Sequence, residues 1–493
     1  MVDEISVPFT YIRNRISDYK KNDLLEYAFN ILSVKQDGAH PFWVVFTLIK
    51  WIYLYGGKRH PSKNLTQQKF AKIYNSIVKL TDDHIISFMK GGSLSKAFQV
   101  IYHQQFYLQL RVPSQVFSAQ LKLYKTITGQ YDIDQSFEEK AGISIFDYLN
   151  IQQLVWLYVN VNPLNDPTVR FNGVFSKEML RAFSDIIGKA KMDKYFELLT
   201  MNPIDPVDSI SNFRRSLTCG DLQTLEPTFF TLYPFLLYRD ELKLIHKSVF
   251  NHTSCYFIHD YMKSNDEKFT AEFGRRFEKY IKYGLNEVNY NYLIETQIQR
   301  MLPPNSKVVD YCLPELNVYL ECKAIELQSY TSINPTDELL YNSLKGSILK
   351  AYFEQLLNVA MKMTPNEENW GIILTYKELY WSSFKELFDV AKDKFPNSNN
   401  SSSLPPENVF IIDIFTWDAI IQIIKNKKAT LVEILQVARA NNLKPETAKL
   451  SFSMHLEIYK LDKVSLSFLD NEYMQLRQLF NNKTNTNQNE TRT

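Results

Sequence analysis

The sequence predicts a multidomain protein of mixed α and β class, with a large helical N-terminal region, an α/β domain after it and a helical C-terminal segment. Three observations carry that expectation. The 493 residues exceed one ordinary core and suit two or three domains of about 100 to 200 residues each. Apolar residues recur at helical spacing through most of the first 245 positions, as in "NLTQQKFAKIYNSIVKL". From about residue 255, short β-branched and aromatic runs alternate with helical stretches, which is how strands packed against helices read in sequence.

Composition narrows the class. Hydrophobic residues make up 45% and charged residues 22%, the balance of a folded globular chain. Only 14 glycines stand beside 30 tyrosines and 33 phenylalanines, which favours bulky helical packing over Gly-rich phosphate loops. No GxxxxGK[ST] occurs, so nothing supports an intrinsic ATPase. A net charge of +2 is far from a broadly basic body, so any nucleic-acid site must be a local patch. Cys219, Cys255, Cys312 and Cys322 show no zinc spacing and read as free thiols of a reducing compartment.

The N-terminus lacks the basic-then-apolar order of a signal peptide. The most apolar stretch, "PFWVVFTLIKWIYLYGG", is shorter than the roughly 20 residues of a membrane span and carries Lys50 near its middle. It reads as a buried core helix, and the chain as a cytoplasmic protein without a membrane partner.

Taken in order, residues 1–245 read as a helical region for recognition or partner binding, punctuated by the prolines of "VNPLNDPTV" and "MNPIDPVDS". The α/β domain covers 246–427. It begins with a helix near 266–285, followed by strands at 307–312 and 318–325 and a long helix over 337–363. A strand at 370–376, the helix "LYWSSFKELFDVAKDKF", a Ser/Asn-rich loop and a strand at 409–415 complete it. Residues 428–480 read as helical and 481–493 as a disordered tail with nothing to bury.

The chemistry gathers in "KVVDYCLPELNVYLECKAIEL", where Asp310, Glu321 and Lys323 interrupt two otherwise apolar strands. Buried charges require a partner or a metal. Strand alternation points Glu321 and Lys323 to one side, roughly 7 Å apart, and hairpin pairing through "LPELN" brings Asp310 beside Glu321. Two adjacent carboxylates repel unless a cation or proton lies between them. A hard cation such as Mg²⁺ takes one or two carboxylates plus phosphate oxygens, and a nearby lysine can orient or deprotonate the attacking water. Four other acidic-x-Lys triplets, at Asp18, Glu138, Glu241 and Asp266, lie in polar or helical surroundings and read as surface charge.

"VVDYCLPELNVYLECKA" resembles the signature of the PD-(D/E)xK, or restriction-endonuclease-like, nuclease superfamily over roughly residues 255–425, with Val309 in place of the proline. The resemblance implies a mixed central sheet and Mg²⁺-dependent phosphodiester hydrolysis, with Mn²⁺ able to substitute. It implies metal ligation by Asp310, Glu321, the backbone carbonyl of Cys322 and Glu278, the last in "GRRFEKY". It implies catalytic roles for Asp310, Glu321, Lys323, Glu278 and Gln355, the glutamine lying on the apolar stripe of the helix after the hairpin. An endonuclease acting on DNA, in bacterial defence against phage or in restriction, fits the resemblance. A protein partner would bind through the helical region. The alternatives are a non-catalytic nucleic-acid-binding or scaffold protein that keeps the fold, and an RNA-cutting or partner-dependent nuclease.

Secondary candidates are the pairs Arg275–Arg276 and Arg214–Arg215 for phosphates, and Lys350 and Tyr352 on the helix of Gln355. His246, His252 and His259 have no acidic partners at metal spacing and read as polar or core histidines.

Overall fold

The computed structural model describes residues 7–33, 41–59, 63–90, 94–105, 110, 112–160, 173–201, 220–381, 383–461 and 465–478. The stretch "VNPLNDPTV", most of "MNPIDPVDS", Arg214, Arg215, Cys219 and the 481–493 tail lie outside these residues. The chain divides into two compact units. One comprises Met1–Val112, Ala141–Tyr261 and Ser332–Pro335; the other comprises Pro113–Lys140, Met262–Thr331 and Thr336–Thr493. The chain therefore crosses between them several times, and residues 113–140 belong with the α/β part rather than with the helices that precede and follow them.

In the first unit the apolar stretch forms the Phe42–Tyr55 helix, buried over Val44–Leu54. Its lysine is paired: Lys50 Nζ lies 2.5 Å from Glu226 Oε2, with both side chains almost inaccessible. The adjacent Trp51 indole donates to Gln223 Oε1 at 3.0 Å, so the segment around 223–226 supplies the polar partners that this helix requires. No helix among the described residues is long and apolar enough to cross a membrane. This unit also holds a sheet that the sequence reading had not placed: β1 (Val174–Phe175), β2 (Thr200–Met201), β3 (Phe235–Tyr238) and β4 (Glu241–Leu244), in the order β1-β4-β3-β2. The β3–β4 hairpin turns on Arg239 and Asp240, both at positive φ, the conformation of a tight two-residue turn.

The second unit is built on a five-stranded mixed sheet. Its strands are β5 (Leu293–Ile294), β6 (Tyr311–Leu313), β7 (Val318–Lys323), β8 (Trp370–Thr375) and β9 (Val409–Asp413), paired in that order. β5–β6 and β6–β7 are antiparallel, whereas β7–β8 and β8–β9 are parallel. β8 and β9 are buried at every position, β8 between two parallel neighbours and β9 at the end of the sheet order. Cys312, Tyr319, Ile373 and Ile411 share one core with Leu349, Phe353 and Leu356 of the 348–363 helical stretch.

Several boundaries differ from expectation for identifiable reasons. β6 is shorter than 307–312 because β5 reaches only Tyr311 and Cys312, leaving residues 307–310 outside the ladder. β9 stops at Asp413 because its carboxylate caps the Ile414–Lys425 helix, accepting from the Phe415 N–H at 2.9 Å and the Thr416 N–H at 3.2 Å. The long helix expected over 337–363 breaks at 345–347, where Gly346 and Ser347 follow the Thr336-capped Asp337–Leu344 helix. The chain then resumes through a π-helical turn, Ala351–Leu356, into Leu357–Met363. After 428 the segment is helical in pieces: the helix Leu431–Asn442 stops before Pro445, 3₁₀ turns follow at Phe452–Tyr459 and Ser467–Leu469, and residues 470–478 are α-helical.

The Phe269–Glu287 helix is anchored by a buried charge network. Glu272, fully buried, accepts from Arg276 Nε at 2.9 Å and Arg275 Nη2 at 2.9 Å. Arg276 in turn donates to the carbonyls of Tyr124 at 2.7 Å and Tyr131 at 2.8 Å. Gly129 lies where a Cβ would stand 1.4 Å from Glu272 Oε1, so only glycine fits beside that carboxylate. Nearby, Asp418 is buried with Oδ2 accepting from the Tyr280 hydroxyl at 2.8 Å, and burial pushes its carboxyl up to about 8.

Gly129→Ala is expected to lower stability by about 1–3 kcal/mol in chemical denaturation, because Glu272 has no room to retreat. An unchanged midpoint means that the loop and helix are not tightly packed there. Asp418 binds a proton in the folded state that the unfolded chain has lost. Its contribution is therefore complete below pH 3.8 and is lost as pH rises towards about 8. Asp418→Asn should flatten the fall of melting temperature across that window, and parallel profiles for the two proteins contradict the assignment.

Candidate functional site

The turn at 314–317 ends with Asn317 in the left-handed region (φ 52°) and sets β6 and β7 in register, Tyr311 opposite Leu320. One step back along that register brings Asp310 to Glu321, and the two strands exchange contacts through their carboxylates. The Asp310 N–H donates to Glu321 Oε2 at 3.2 Å, and the Cys322 N–H donates to Asp310 Oδ2 at 2.7 Å.

Glu321 is 1% exposed. Its Oε1 accepts from Lys323 Nζ, two residues along the same strand, and from Gln355 Nε2 at 2.6 Å. Gln355 also donates to the Val308 carbonyl at 3.0 Å, so one amide bridges β7 and the approach to β6. Its own Oε1 is buried without a hydrogen-bond partner among the described residues. Gln355 lies within the π-helical turn Ala351–Leu356.

The electrostatics follow from burial and crowding. Burial raises the Asp310 carboxyl above the usual carboxylate range, against the pull of the Cys322 N–H and Lys323. Burial and then Asp310 raise Glu321, while Lys323 and Gln355 oppose them. Burial works against the charge on Lys323, but the Glu321 carboxylate outweighs it and the ammonium is held more firmly than usual. Glu278, half-buried on the Phe269–Glu287 helix, is pushed up to about 7 by burial, then by Asp310 and Glu295. Its backbone carbonyl accepts from the Tyr311 hydroxyl at 2.9 Å, which ties the helix to β6. Asp310 thus presses on both Glu321 and Glu278, with Lys323 opposing it at each.

The structure therefore brings Asp310, Glu321, Lys323 and Gln355 into one hydrogen-bonded group, with Glu278 in electrostatic contact. At Cys322 the observed contact comes from the N–H; its thiol is buried and raised well above the ordinary value. Sequence reasoning missed Glu295, an exposed carboxylate at the start of the Glu295–Met301 helix that acts on both Glu278 and Asp310. Its signal was its place directly after β5, which was itself too short to read.

Other candidates resolve differently. Arg276 is committed to Glu272 and backbone carbonyls, so it is not a phosphate contact; Arg275 reaches the same carboxylate from the surface. Tyr352 is core, with its hydroxyl on the Leu404 carbonyl at 2.8 Å, and Lys350 is half-buried on the same stretch. His246 lies 4.1 Å from the Phe42 ring with its basicity lowered to about 4 by burial and Lys247, and His252 packs on Tyr256. His259 is buried with Nδ1 3.2 Å from Asp260 Oδ1. Cys312 and Cys322 are free and buried, and Cys255 is buried.

No protein-family model matches this chain, and neither the curated proteins nor the solved structures contain a significant match to it.

Glu321→Gln is expected to destabilise the metal-free protein by about 1–3 kcal/mol, because its NH2 must face either the Asp310 N–H or the Lys323 and Gln355 donors, and Lys323 loses its carboxylate. Thermal melting in EDTA checks this, and an unchanged or raised melting temperature shows that the buried charge adds nothing net to the fold.

Proposed function

We propose that this protein is a divalent-metal-dependent phosphodiesterase, a nuclease of the restriction-endonuclease-like kind, with DNA as its substrate. The observation that carries the reading is the hydrogen-bonded group of Asp310, Glu321, Lys323 and Gln355 at one end of the β6–β7 hairpin. The order of elements also supports it: a helix, three antiparallel strands, a crossover helical stretch and a parallel strand. The first compact unit would recognise nucleic acid or a protein partner, and the activity would be cytoplasmic.

The donor set suits a hard cation. Asp310 and Glu321 would supply carboxylate oxygens and the Cys322 carbonyl a third, with Glu278 contributing negative charge from the Phe269–Glu287 helix. Their proton affinities are raised by burial first and by neighbouring carboxylates second, and Mg²⁺ or Mn²⁺ would relieve the second cause. Such a cation, once bound, supplies charge neutralisation at a phosphate and lowers the barrier to attack by water. The protein's own contribution starts with Lys323, whose ammonium is oriented by Glu321 and directs the attacking water or the phosphate oxygen. Gln355 holds the Glu321 carboxylate in one rotamer and fixes its distance from the strand of Asp310. Glu278, near pH 7 in proton affinity, can give or take a proton under neutral conditions.

The test incubates the full chain with plasmid, linear DNA and RNA in Mg²⁺, Mn²⁺ or EDTA, beside Lys323→Ala and Asp310→Ala. Metal-dependent cleavage should fall by about 10²-fold or more in both variants, with EDTA abolishing it. Equal cleavage by variants and wild type removes the chemistry from this hairpin. Cleavage of RNA alone replaces the substrate, and binding without cleavage by any form favours a non-catalytic role.

A further inference from the structure

Gln355, Asn358 and Lys362 follow one another at steps of three and four residues, so they share a face of the helical stretch. That face meets three consecutive residues leading into β6. Lys362 Nζ donates to Ser306 Oγ at 2.9 Å, Asn358 Nδ2 to the Lys307 carbonyl at 2.6 Å, and Gln355 Nε2 to the Val308 carbonyl at 3.0 Å. The direction is antiparallel: residue number rises along the helix as it falls along the strand. Residues 307–310 lie outside the sheet ladder, which begins at Tyr311. The backbone that carries Asp310 is therefore held by these donors on one side and by the Glu321 carboxylate, at 3.2 Å, on the other.

We infer that Asn358, assisted by Lys362, is a positioning residue that holds the 306–308 segment in place and so sets how closely Asp310 and Glu321 converge on a divalent cation. The inference rests on the proposed metal site. Asn358 does not touch that site; it acts two residues upstream of Val309 through the Lys307 carbonyl. Of the three bonds to this segment its own is the shortest, and it is half-buried where Lys362 is exposed. A neutral amide there also adds no charge to compete for the metal.

The experiment measures Mn²⁺ binding to the full chain by calorimetry, with melting temperature recorded in EDTA. Asn358→Leu, close in size but without a donor, should weaken Mn²⁺ binding about tenfold, as loss of an outer support to a metal ligand does. Its EDTA melting temperature should stay near that of wild type, and Asn358→Gln, which keeps an amide donor, should recover part of the affinity. Lys362→Met should weaken binding in the same direction by a smaller factor, and it decides the matter if Asn358→Leu unfolds. Wild-type affinity in both Asn358→Leu and Lys362→Met overturns the inference. So does a wild-type chain that binds no Mn²⁺, which removes the metal site as well. Weakened binding in the variants, from a wild-type chain that binds Mn²⁺ and cleaves nothing, upholds the positioning role and overturns only the nuclease reading.

Discussion

The burial of one carboxylate, Glu321, constrains everything around it. At 1% exposure it has lost its hydration and needs each donor that surrounds it. Lys323 supplies the charge, Gln355 the neutral donor, and Asp310 an N–H from the neighbouring strand. Each of these places a demand on the fold. The lysine needs strand alternation, the N–H needs the β6–β7 register, and the glutamine needs a helix that approaches β7 closely and turns the right face to it. A slip of one residue in the hairpin would turn Glu321 and Lys323 together to the opposite face, away from Gln355 and the Asp310 N–H.

The rest of the second unit keeps those demands compatible. The Phe269–Glu287 helix is fastened at one end by Glu272 and Arg276 to the 123–131 segment, and beside the site by the Tyr311 hydroxyl on the Glu278 carbonyl. Its glutamate is thereby carried to the carboxylates rather than to solvent. Buried ionic groups of this kind add little net stability, but removing one partner is expensive, so they fix geometry more than they strengthen the fold. The same logic holds in the first unit, where Lys50 inside an apolar helix depends on Glu226, distant in sequence.

Much of the site was legible because its physics is local. Asp310, Glu321 and Lys323 stood out as charges in apolar strands, and period-two alternation was enough to group them. Gln355 was visible as an amide on an apolar stripe. What escaped depended on partners remote in sequence. The β1–β4 sheet rests on strands as short as two residues, below any periodic signal, although "ELKL" does alternate along β4. Arg276 looked like a surface cation because Glu272 is an ordinary helical neighbour until residues 123–131 cover it. The break at 345–347 was hidden by apolar periodicity on both sides of Gly346 and Ser347.

The π-helical turn at Ala351–Leu356 has a consequence for how this chain can vary. An α-helix advances 100° per residue, so one extra residue accommodated in a widened turn offsets the angular phase of all that follows. Ile348 and Leu349 before the turn and Val359 and Ala360 after it are all buried, so both segments bring an apolar face to the core. The turn sets the angular phase between those two segments. Loss of a single residue there would leave both segments helical and apolar in composition while rotating the second by about a quarter turn. In this molecule a one-residue deletion at that point is a larger change than most substitutions, because it separates the face that packs from the face that reaches the strands.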